Sequence, residues 1–211
     1  MSSGFEVVRA GYDQIGPRYR DWSRSSQVRL RWVARLLDES GPDSVVVDLG
    51  CGPGEPATRL LAEHHRVLGV DGSLVQLRLA QTAAPAAGLV QADITRLAMR
   101  PGSVDAVASF YMLGHVPARL QPALLAAVAS WLRPGGLLLT SAPLMTGDHH
   151  EPDWLGVPMF FGGMGEDAIR RAVIAAGLHV ETWEVEEDEG DGVIVSFLWL
   201  MARRPVDVQA P

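Results

Sequence analysis

The sequence predicts a doubly wound α/β fold, in which helices cover both faces of a mostly parallel sheet. From residue 44 onward, short runs rich in β-branched residues alternate with helical segments, which is typical of βαβ units. The first run, 44–49 (SVVVDL), is almost wholly apolar, as expected of a central strand covered on both faces. The last two runs, 180–185 and 193–201, are joined by a segment too short for a crossover helix. They are therefore expected to form an antiparallel closing hairpin.

The first forty residues precede this alternation. Residues 1–25 lack a clean apolar period and are predicted to form a turn-rich or short-helical lid. Residues 27–37 carry apolar side chains at helical spacing and are predicted to form a helix. Since no repeat or linker is evident, we expect one domain that spans 1–211, with 1–40 as its N-terminal lid and helical segment.

The remaining elements follow in regular order. Strands are predicted at 44–49, 66–70, 88–91, 104–110, 137–141, 180–185 and 193–201. Helices are predicted at 55–64, 73–83, 119–132 and 166–176. Ser73 is expected to cap the second of these helices, and Gly177 to close the last one at its C′ position. Residues 143–165 are interpreted as an inserted substrate loop, and the acidic stretch 186–192 as the turn of the closing hairpin.

Composition excludes several classes of function. The 211 residues are 47% hydrophobic and 20% charged, as in an ordinary globular domain. A net charge of −7 argues against nucleic acid or an anionic membrane as the partner, because both favour a basic face. The N terminus lacks the apolar core of a signal peptide, and the longest apolar stretch, 193–202, is shorter than the ~20 residues that a spanning helix needs. The single cysteine, Cys51, fits a cytoplasmic protein.

Every basic residue of the chain is an arginine, which we attribute to the codon bias of a GC-rich bacterial genome. Seven of them lie before residue 40, where they could attract an acidic substrate. Five acidic residues share that segment, so a solvated helical face is the favoured interpretation.

The strongest chemical signal is a glycine-rich loop, 48–54 (DLGCGPG), between the first buried strand and the next helix. Glycine permits positive φ and close approach of the backbone to a ligand, and ligands of open α/β sheets bind at the carboxyl ends of the strands. The glycines at 50, 52 and 54 do not match the dinucleotide fingerprint, which requires a third glycine where Glu55 stands. A P-loop is excluded because the chain has no lysine. A tight turn without a ligand is the alternative.

Two carboxylates follow at the ends of the next two predicted strands. Asp71 lies about twenty residues beyond the loop, where a carboxylate can accept the ribose hydroxyls of a nucleoside; the alternative is an acid favoured by a helix N-terminus. Asp93 either accepts from an adenine amino group, with Ile94 against the ring, or caps a helix. The loop and the two acids together predict a nucleoside site.

Five segments, VVVDLGCGPG, GVDGS, QADI, VDAVASFYMLGHV and LRPGGLLLTS, occur in this order and resemble the class I S-adenosylmethionine (SAM)-dependent methyltransferases, which have a Rossmann-like fold. The resemblance covers roughly 43–142, and the closing hairpin extends it to about 203. Tyr12, Tyr19 and 154–161 (WLGVPMFF) are similar to small bacterial enzymes that modify metabolites. The resemblance implies SAM as cofactor and S-adenosylhomocysteine as product. The implied acceptor is an O or N atom of a small metabolite, as in natural product biosynthesis. An RNA or protein acceptor, or a SAM-binding relative with another role, is the alternative.

The resemblance also implies a cofactor site, position by position. The residues concerned are Tyr19, Asp48, Gly50, Cys51, Gly52, Asp71, Gly72, Ala92, Asp93, Ile94, Ser109 and Phe110. The glycine loop would line the methionine part of SAM, although Cys51 is also interpreted as a packing residue. Asp71 would hold the ribose, and Asp93 with Ile94 the adenine. The two residues after the fourth strand would border the methyl group, and Tyr19 would cover the cofactor from the lid.

Two histidines are candidates for a catalytic role. His115 follows the strand that borders the methyl group and is the leading candidate for a general base; alternatively it orders its loop through a backbone hydrogen bond. His149 lies in the segment 148–151 (DHHE), where acceptor contact, plain surface and a metal site are the interpretations. Adjacent histidines in a flexible loop lack the supporting shell of a good metal site, so no metal is predicted.

An apolar wall is predicted for the acceptor. The candidate residues are Tyr12, Tyr111, His150, Trp154, Met159 and Phe160. Such side chains suit an aromatic or otherwise apolar small molecule. Core packing or a dimer contact is the alternative, and the chain is expected to be a monomer or a homodimer.

Overall fold

The structure is a computed structural model that describes residues 4–23, 26–190 and 193–206. Its helices are α1 (Gly4–Ser23), α2 (Gln27–Glu39), α3 (Ala57–Ala62), α4 (Leu74–Ala83), α5 (Gln121–Trp131) and α6 (Glu166–Ala175). Its strands are β1 (Val45–Leu49), β2 (Arg66–Asp71), β3 (Gly88–Gln91), β4 (Val104–Ser109), β5 (Leu132–Pro143), β6 (Thr146–Trp154), β7 (Val157–Met164), β8 (His179–Gly190) and β9 (Val193–Arg203). Within these ranges, no helix combines the length and the apolar character needed to cross a membrane.

Seven strands form one sheet in the order β3-β2-β1-β4-β5-β9-β8. The first five are parallel to one another, whereas β9 runs antiparallel to both β5 and β8. The doubly wound sheet with an antiparallel closing hairpin is therefore confirmed. Because the chain order reverses between β1 and β4, the carboxyl ends of these strands border the crevice where such sheets bind ligands.

Both faces of the sheet are covered, which explains the apolar character of β1. Val46 packs into a cluster with α2 and α3, and Val47 into a cluster with α5 and α6. Successive side chains of a strand point to opposite faces, so neither residue meets solvent. On the first face, Trp32 of α2 stacks on Trp199 of β9 with ring centroids 5.4 Å apart.

The N-terminal lid is more regular than predicted. Residues 4–23 form α1, a helix of 20 residues, and not a series of turns. The one interruption is a kink at Gly16 (φ 34°, ψ −114°), which precedes Pro17, as expected where a proline removes a helical hydrogen bond. α1 packs against α4 and β7.

The segment 143–165, predicted to be a loop, contains a separate two-stranded sheet of β6 and β7. Its turn is Leu155-Gly156, and both residues have positive φ (53° and 84°), the backbone conformation that suits two-residue hairpins. β6 is mostly polar and exposed, whereas most of β7 is buried. A polar edge strand has no apolar alternation, so the periodicity that reveals other strands is absent here.

The prediction of an acidic turn at 186–192 is wrong for the described part of that segment, because β8 extends to Gly190. Glu186 accepts hydrogen bonds from Trp32 and Arg31 of α2. These partners compensate the charge of Glu186 within the strand. The last two residues of the predicted turn, 191 and 192, lie outside the described ranges.

Candidate functional site

A cavity of about 260 Å³ lies at the carboxyl ends of the central strands, between the glycine loop and α1. Twelve of the predicted site residues line it: Tyr12, Tyr19, Gly50, Gly52, Asp71, Gly72, Ala92, Asp93, Ile94, Phe110, Tyr111 and His115. The structure therefore brings the glycine loop, both strand-end carboxylates and the N-terminal lid to one place.

The glycine loop owes its shape to three residues with positive φ, namely 71° at Gly50, 54° at Gly52 and 77° at Gly54. A Cβ atom at Gly50 would meet the Met112 side chain at 2.5 Å, and one at Gly54 would meet the α4 backbone at 3.0 Å. At Gly52 the nearest atom would be a ring carbon of Tyr19, 3.6 Å away. Two of the glycines thus permit packing, while Gly52 presents its backbone to the cavity.

Asp71 organises the centre of the site. Its two carboxylate oxygens accept hydrogen bonds from the backbone N–H groups of Gly52 (2.9 Å) and Ser73 (2.8 Å). A carboxylate has about four acceptor positions, so both oxygens can still accept hydroxyl donors from the cavity. Burial raises the pKa of Asp71 to about 6, and the carboxylate of Asp13 acts in the same direction.

Asp93 caps a helix and lines the cavity. One carboxylate oxygen accepts from the backbone N–H (2.9 Å) and the hydroxyl (2.7 Å) of Thr95, so Asp93 caps the short 3₁₀ helix Ile94–Arg96. The residue also lines the cavity together with Ile94. The helix cap therefore fixes a carboxylate where it can also accept from a ligand.

His115 lies between α1 and β7. Its Nδ1 is 3.0 Å from the carbonyl oxygen of Phe160, and its Nε2 is 2.8 Å from the hydroxyl of Tyr12. Because a carbonyl only accepts, Nδ1 carries the proton and Nε2 accepts from the tyrosine. Burial lowers the pKa of His115 to about 4, so the ring is neutral at pH 7. The backbone hydrogen bond expected of an ordering histidine is present, and the second nitrogen contacts the hydroxyl of Tyr12, a residue that lines the cavity.

The interpretation of the N-terminal arginines as a solvated face holds for part of the set. Arg31 and Arg35 pair with Glu186 and Glu184 of β8 at the protein surface. Arg29, by contrast, is only 6% exposed. The interpretation as part of a solvated helical face is therefore wrong for Arg29.

Arg29 borders a small pocket beside the cavity, together with Asp48 and Cys51. Its guanidinium carbon lies 4.6 Å from the ring centroid of Tyr111, and among the described residues its Nε has no hydrogen-bond partner. A buried cation with an unsatisfied donor is a favourable place for a carboxylate ligand. Helical spacing is the signal that could have found it, because positions 29, 32, 33 and 36 share the buried face of α2.

Three predicted cofactor residues lie behind the cavity surface. Asp48 and Cys51 are buried next to Arg29. Asp48 accepts from the Thr58 hydroxyl at 2.7 Å, and burial raises its pKa to about 6. Ser109 is buried and does not line the cavity. Only its neighbour Phe110 reaches the surface at this point.

The predicted acceptor wall is divided between the cavity, which Tyr12 and Tyr111 line, and positions in the core and at the surface. Met159 (0% exposed) and Phe160 are buried on β7 beneath α1, and Trp154 packs on the aromatic side chains of α1. His149 and His150 are exposed on β6, the outer strand, and the side chain of His149 is 57% exposed. None of these five lines the cavity. The position of His149 does not support a catalytic role, and no cluster of metal-ligating side chains was found among the described residues.

The roof of the cavity also contains residues that were not predicted. Phe5, Val8 and Arg9 of α1 line it. Asp13 anchors this helix by accepting a hydrogen bond from the Ser73 hydroxyl at 2.6 Å. The lid is thus attached to the same short segment that supplies a backbone donor to the carboxylate of the site.

Comparison with known sequences points to one family. A family model described as a methyltransferase domain matches residues 46–136. The chain is 44% identical over 107 residues to a trans-aconitate 2-methyltransferase of Paracidovorax citrulli, which covers 47% of this chain and 39% of the relative. It is 32% identical over 130 residues to a ubiquinone biosynthesis O-methyltransferase of Albidiferax ferrireducens, which covers 58% and 50%. The chain thus spans about half or less of the length of these relatives.

Solved structures share the fold along nearly the whole chain. A SAM-dependent methyltransferase from Mesorhizobium loti is 25% identical, with a TM-score of 0.67 over 82% of this chain and 95% of that one. A 1,6-didemethyltoxoflavin-N1-methyltransferase from Burkholderia thailandensis is 20% identical, with a TM-score of 0.73 over 97% and 92%. That structure contains 1,6-didemethyltoxoflavin and S-adenosylhomocysteine.

Proposed function

We propose that this chain, which belongs to the class I SAM-dependent methyltransferases, transfers a methyl group from SAM to an oxygen or nitrogen atom of a small metabolite. The observation that carries the proposal is the cavity at the switch point of the sheet. It joins a loop of positive-φ glycines to a carboxylate at the end of the neighbouring strand. A tight turn without a ligand would need no such cavity.

The residues of the site fit the parts of SAM. Asp71 can accept the two ribose hydroxyls, and Asp93 with Ile94 can hold the adenine. The unsatisfied Nε of Arg29 suits the carboxylate of the methionine part. When bound, SAM supplies a methyl group that is already activated on a sulfonium. The chain itself then has to align the acceptor and exclude water, and alignment alone contributes ~7–11 kcal/mol in well-oriented systems.

A small acceptor suits this cavity better than a macromolecule. The helix α1 covers the cavity, which restricts the access of a large acceptor, and the net charge of −7 disfavours RNA. Two relatives are named for trans-aconitate and for ubiquinone biosynthesis, which supports a role in the metabolism of small molecules. We propose further that the chain acts as a single domain in a biosynthetic pathway of the bacterial cytoplasm, as a monomer or homodimer.

Calorimetry with SAM, S-adenosylhomocysteine and NAD tests the proposed function. Micromolar binding of the first two and no binding of NAD is expected, because Glu55 stands where a dinucleotide site needs its third glycine. Binding of NAD, or no binding of SAM, would overturn the proposal. A screen of metabolites for S-adenosylhomocysteine production then identifies the acceptor.

Binding of SAM should be linked to ionisation of Asp71. Hydroxyl donors favour the charged carboxylate, and the free protein holds this proton with a pKa of about 6. Affinity should therefore rise as the pH increases through about 6, and protons should be released on binding near that pH. Calorimetry at pH 6 in two buffers of different ionisation enthalpy measures the release, with pH 8 as the control. Equal binding heats in both buffers at pH 6 would contradict the prediction.

A further inference from the structure

A short chain of hydrogen bonds joins the roof of the cavity to β7. It begins at Tyr12 of α1, whose ring packs edge-on against the ring of Tyr19 with centroids 4.9 Å apart. Tyr12 contacts Nε2 of His115 at 2.8 Å, and Nδ1 of His115 contacts the carbonyl oxygen of Phe160 at 3.0 Å. The elements α1 and β7 thus meet through the imidazole of His115.

The carbonyl end of this chain fixes its direction. A backbone carbonyl only accepts, so Nδ1 of His115 carries the proton that the Phe160 oxygen accepts. Tyr12 therefore donates to Nε2 of His115, which leaves the imidazole neutral, with its proton on Nδ1.

The hydroxyl of Tyr12 keeps acceptor capacity. A hydroxyl has one proton and two lone pairs, and the proton goes to His115. The lone pairs can accept from a ligand, because Tyr12 and His115 both line the cavity. The imidazole of His115 packs against the aromatic rings of Tyr12, Trp154 and Phe161, with ring centroids 5.3, 6.3 and 5.1 Å away. These rings restrict the access of water to the imidazole.

We propose that Tyr12 is a catalytic residue that takes the proton of a hydroxyl acceptor and passes its own phenolic proton to His115. The acceptor's O–H bond breaks, and its electron pair stays on the oxygen to form the bond to the methyl carbon. The released proton forms a new O–H bond on Tyr12. At the same time the original O–H bond of Tyr12 breaks, and its proton forms the Nε2–H bond of His115. The resulting imidazolium keeps its hydrogen bond to the Phe160 carbonyl.

This relay rests on the proposed function and names its substrate class. A phenol, enol or alcohol must lose a proton when it is methylated, whereas a carboxylate has none to lose at neutral pH. A relay of this kind is useful only for the first group. General base catalysis typically contributes ~10²–10⁴-fold. Since burial lowers the pKa of His115 to about 4, the lower limit of that range is expected.

The first test needs no acceptor. Nitrogen NMR of histidine-labelled protein bound to S-adenosylhomocysteine should show His115 as the neutral Nδ1–H tautomer at pH 7. Tyr12→Phe keeps the ring packing, removes the donor, and should shift only the Nε2 resonance of this histidine. The exposed His64 provides the control, since its resonances should not move. An Nε2–H tautomer or an imidazolium at His115 would overturn the relay.

The second test measures S-adenosylhomocysteine production with matched phenols, alcohols and carboxylic acids. With a hydroxyl acceptor, Tyr12→Phe and His115→Asn should each lower kcat by about 100-fold with unchanged affinity for SAM. The double variant should be no slower than either single variant, because groups that act as one unit are not additive. His64→Asn should retain full activity.

The outcomes separate the relay from the proposed function. Full turnover of a hydroxyl acceptor by Tyr12→Phe, or methylation of carboxylic acids alone, would overturn the relay and leave the methyltransferase assignment intact. Binding of SAM without methylation of any hydroxyl acceptor would also count against the relay. Failure to bind SAM would overturn the proposed function itself.

Discussion

Replacing Asp71 with asparagine is expected to weaken SAM binding by on the order of 100-fold. Hydrogen bonds to a charged group contribute ~1.5–3 kcal/mol each, and the proposed ribose contact uses two. An amide keeps only one acceptor oxygen, so at least one of these bonds is lost together with the charge. Since ~1.4 kcal/mol corresponds to a tenfold change in Kd, a loss of about 3 kcal/mol gives this factor. Calorimetry with SAM measures it directly.

Asp105→Asn is the matched control for this substitution. Asp105 also accepts a backbone hydrogen bond, from Val45 at 2.7 Å, but it lies near the start of β4, away from the cavity. Both variants should lose some stability to chemical denaturation, because each leaves a backbone donor or an arginine with a weaker partner. Only Asp71→Asn should lose affinity for SAM. A folded Asp71→Asn variant with the affinity of the parent would exclude the ribose role.

The parts of the site that were predictable from sequence are those set by local signals. The apolar run of β1 is typical of a strand that is covered on both faces of a sheet. The glycines that follow it permit the backbone conformations that the loop requires. Ser73 caps α4 by accepting from the N–H of Gln76, as its position before the helix predicted. Asp71 follows at the end of the next strand, so its place at the edge of the sheet depends only on strand order.

The parts that were not predictable depend on tertiary contacts. The β6–β7 hairpin is stable because most of β7 is buried, largely beneath α1. The sequence allowed Met159 and Phe160 either to line a pocket or to pack in the core. Only their position beneath α1 places them in the core. The acidic end of β8 is a strand because α2 supplies partners for its charges. No pattern within either segment alone records these partners.

Arg29 is an intermediate case. Its charge suggests exposure, and the neighbouring arginines are indeed at the surface, yet its helical position places it on the buried face of α2. A cation on an apolar helical face is costly unless it has a partner. The conflict between charge and position was therefore present in the sequence, and such conflicts are expected at functional sites.

Gly52→Ala should abolish high-affinity SAM binding while the protein remains folded. Gly52 has φ 54°, and an L-residue in this region costs roughly 1–2 kcal/mol of stability. A Cβ atom there would be 3.6 Å from the nearest protein atom, so it would not clash with the fold. It would instead extend into the space where the loop backbone must approach the ligand closely. We expect Kd for SAM to rise on the order of 100-fold, the equivalent of about 3 kcal/mol of overpacking.

Gly102→Ala separates backbone strain from ligand exclusion. Gly102 has a similar φ of 63°, and an added Cβ would meet no atom within 4 Å. Both alanine variants should therefore lose a similar amount of stability in urea denaturation, yet only Gly52→Ala should lose affinity. Gly50→Ala provides the opposite extreme, because its Cβ would overlap Met112 at 2.5 Å and should destabilise the fold itself. Equal SAM affinity in the Gly52 and Gly102 variants would mean that the loop does not contact the cofactor. The glycines would then be explained by packing alone.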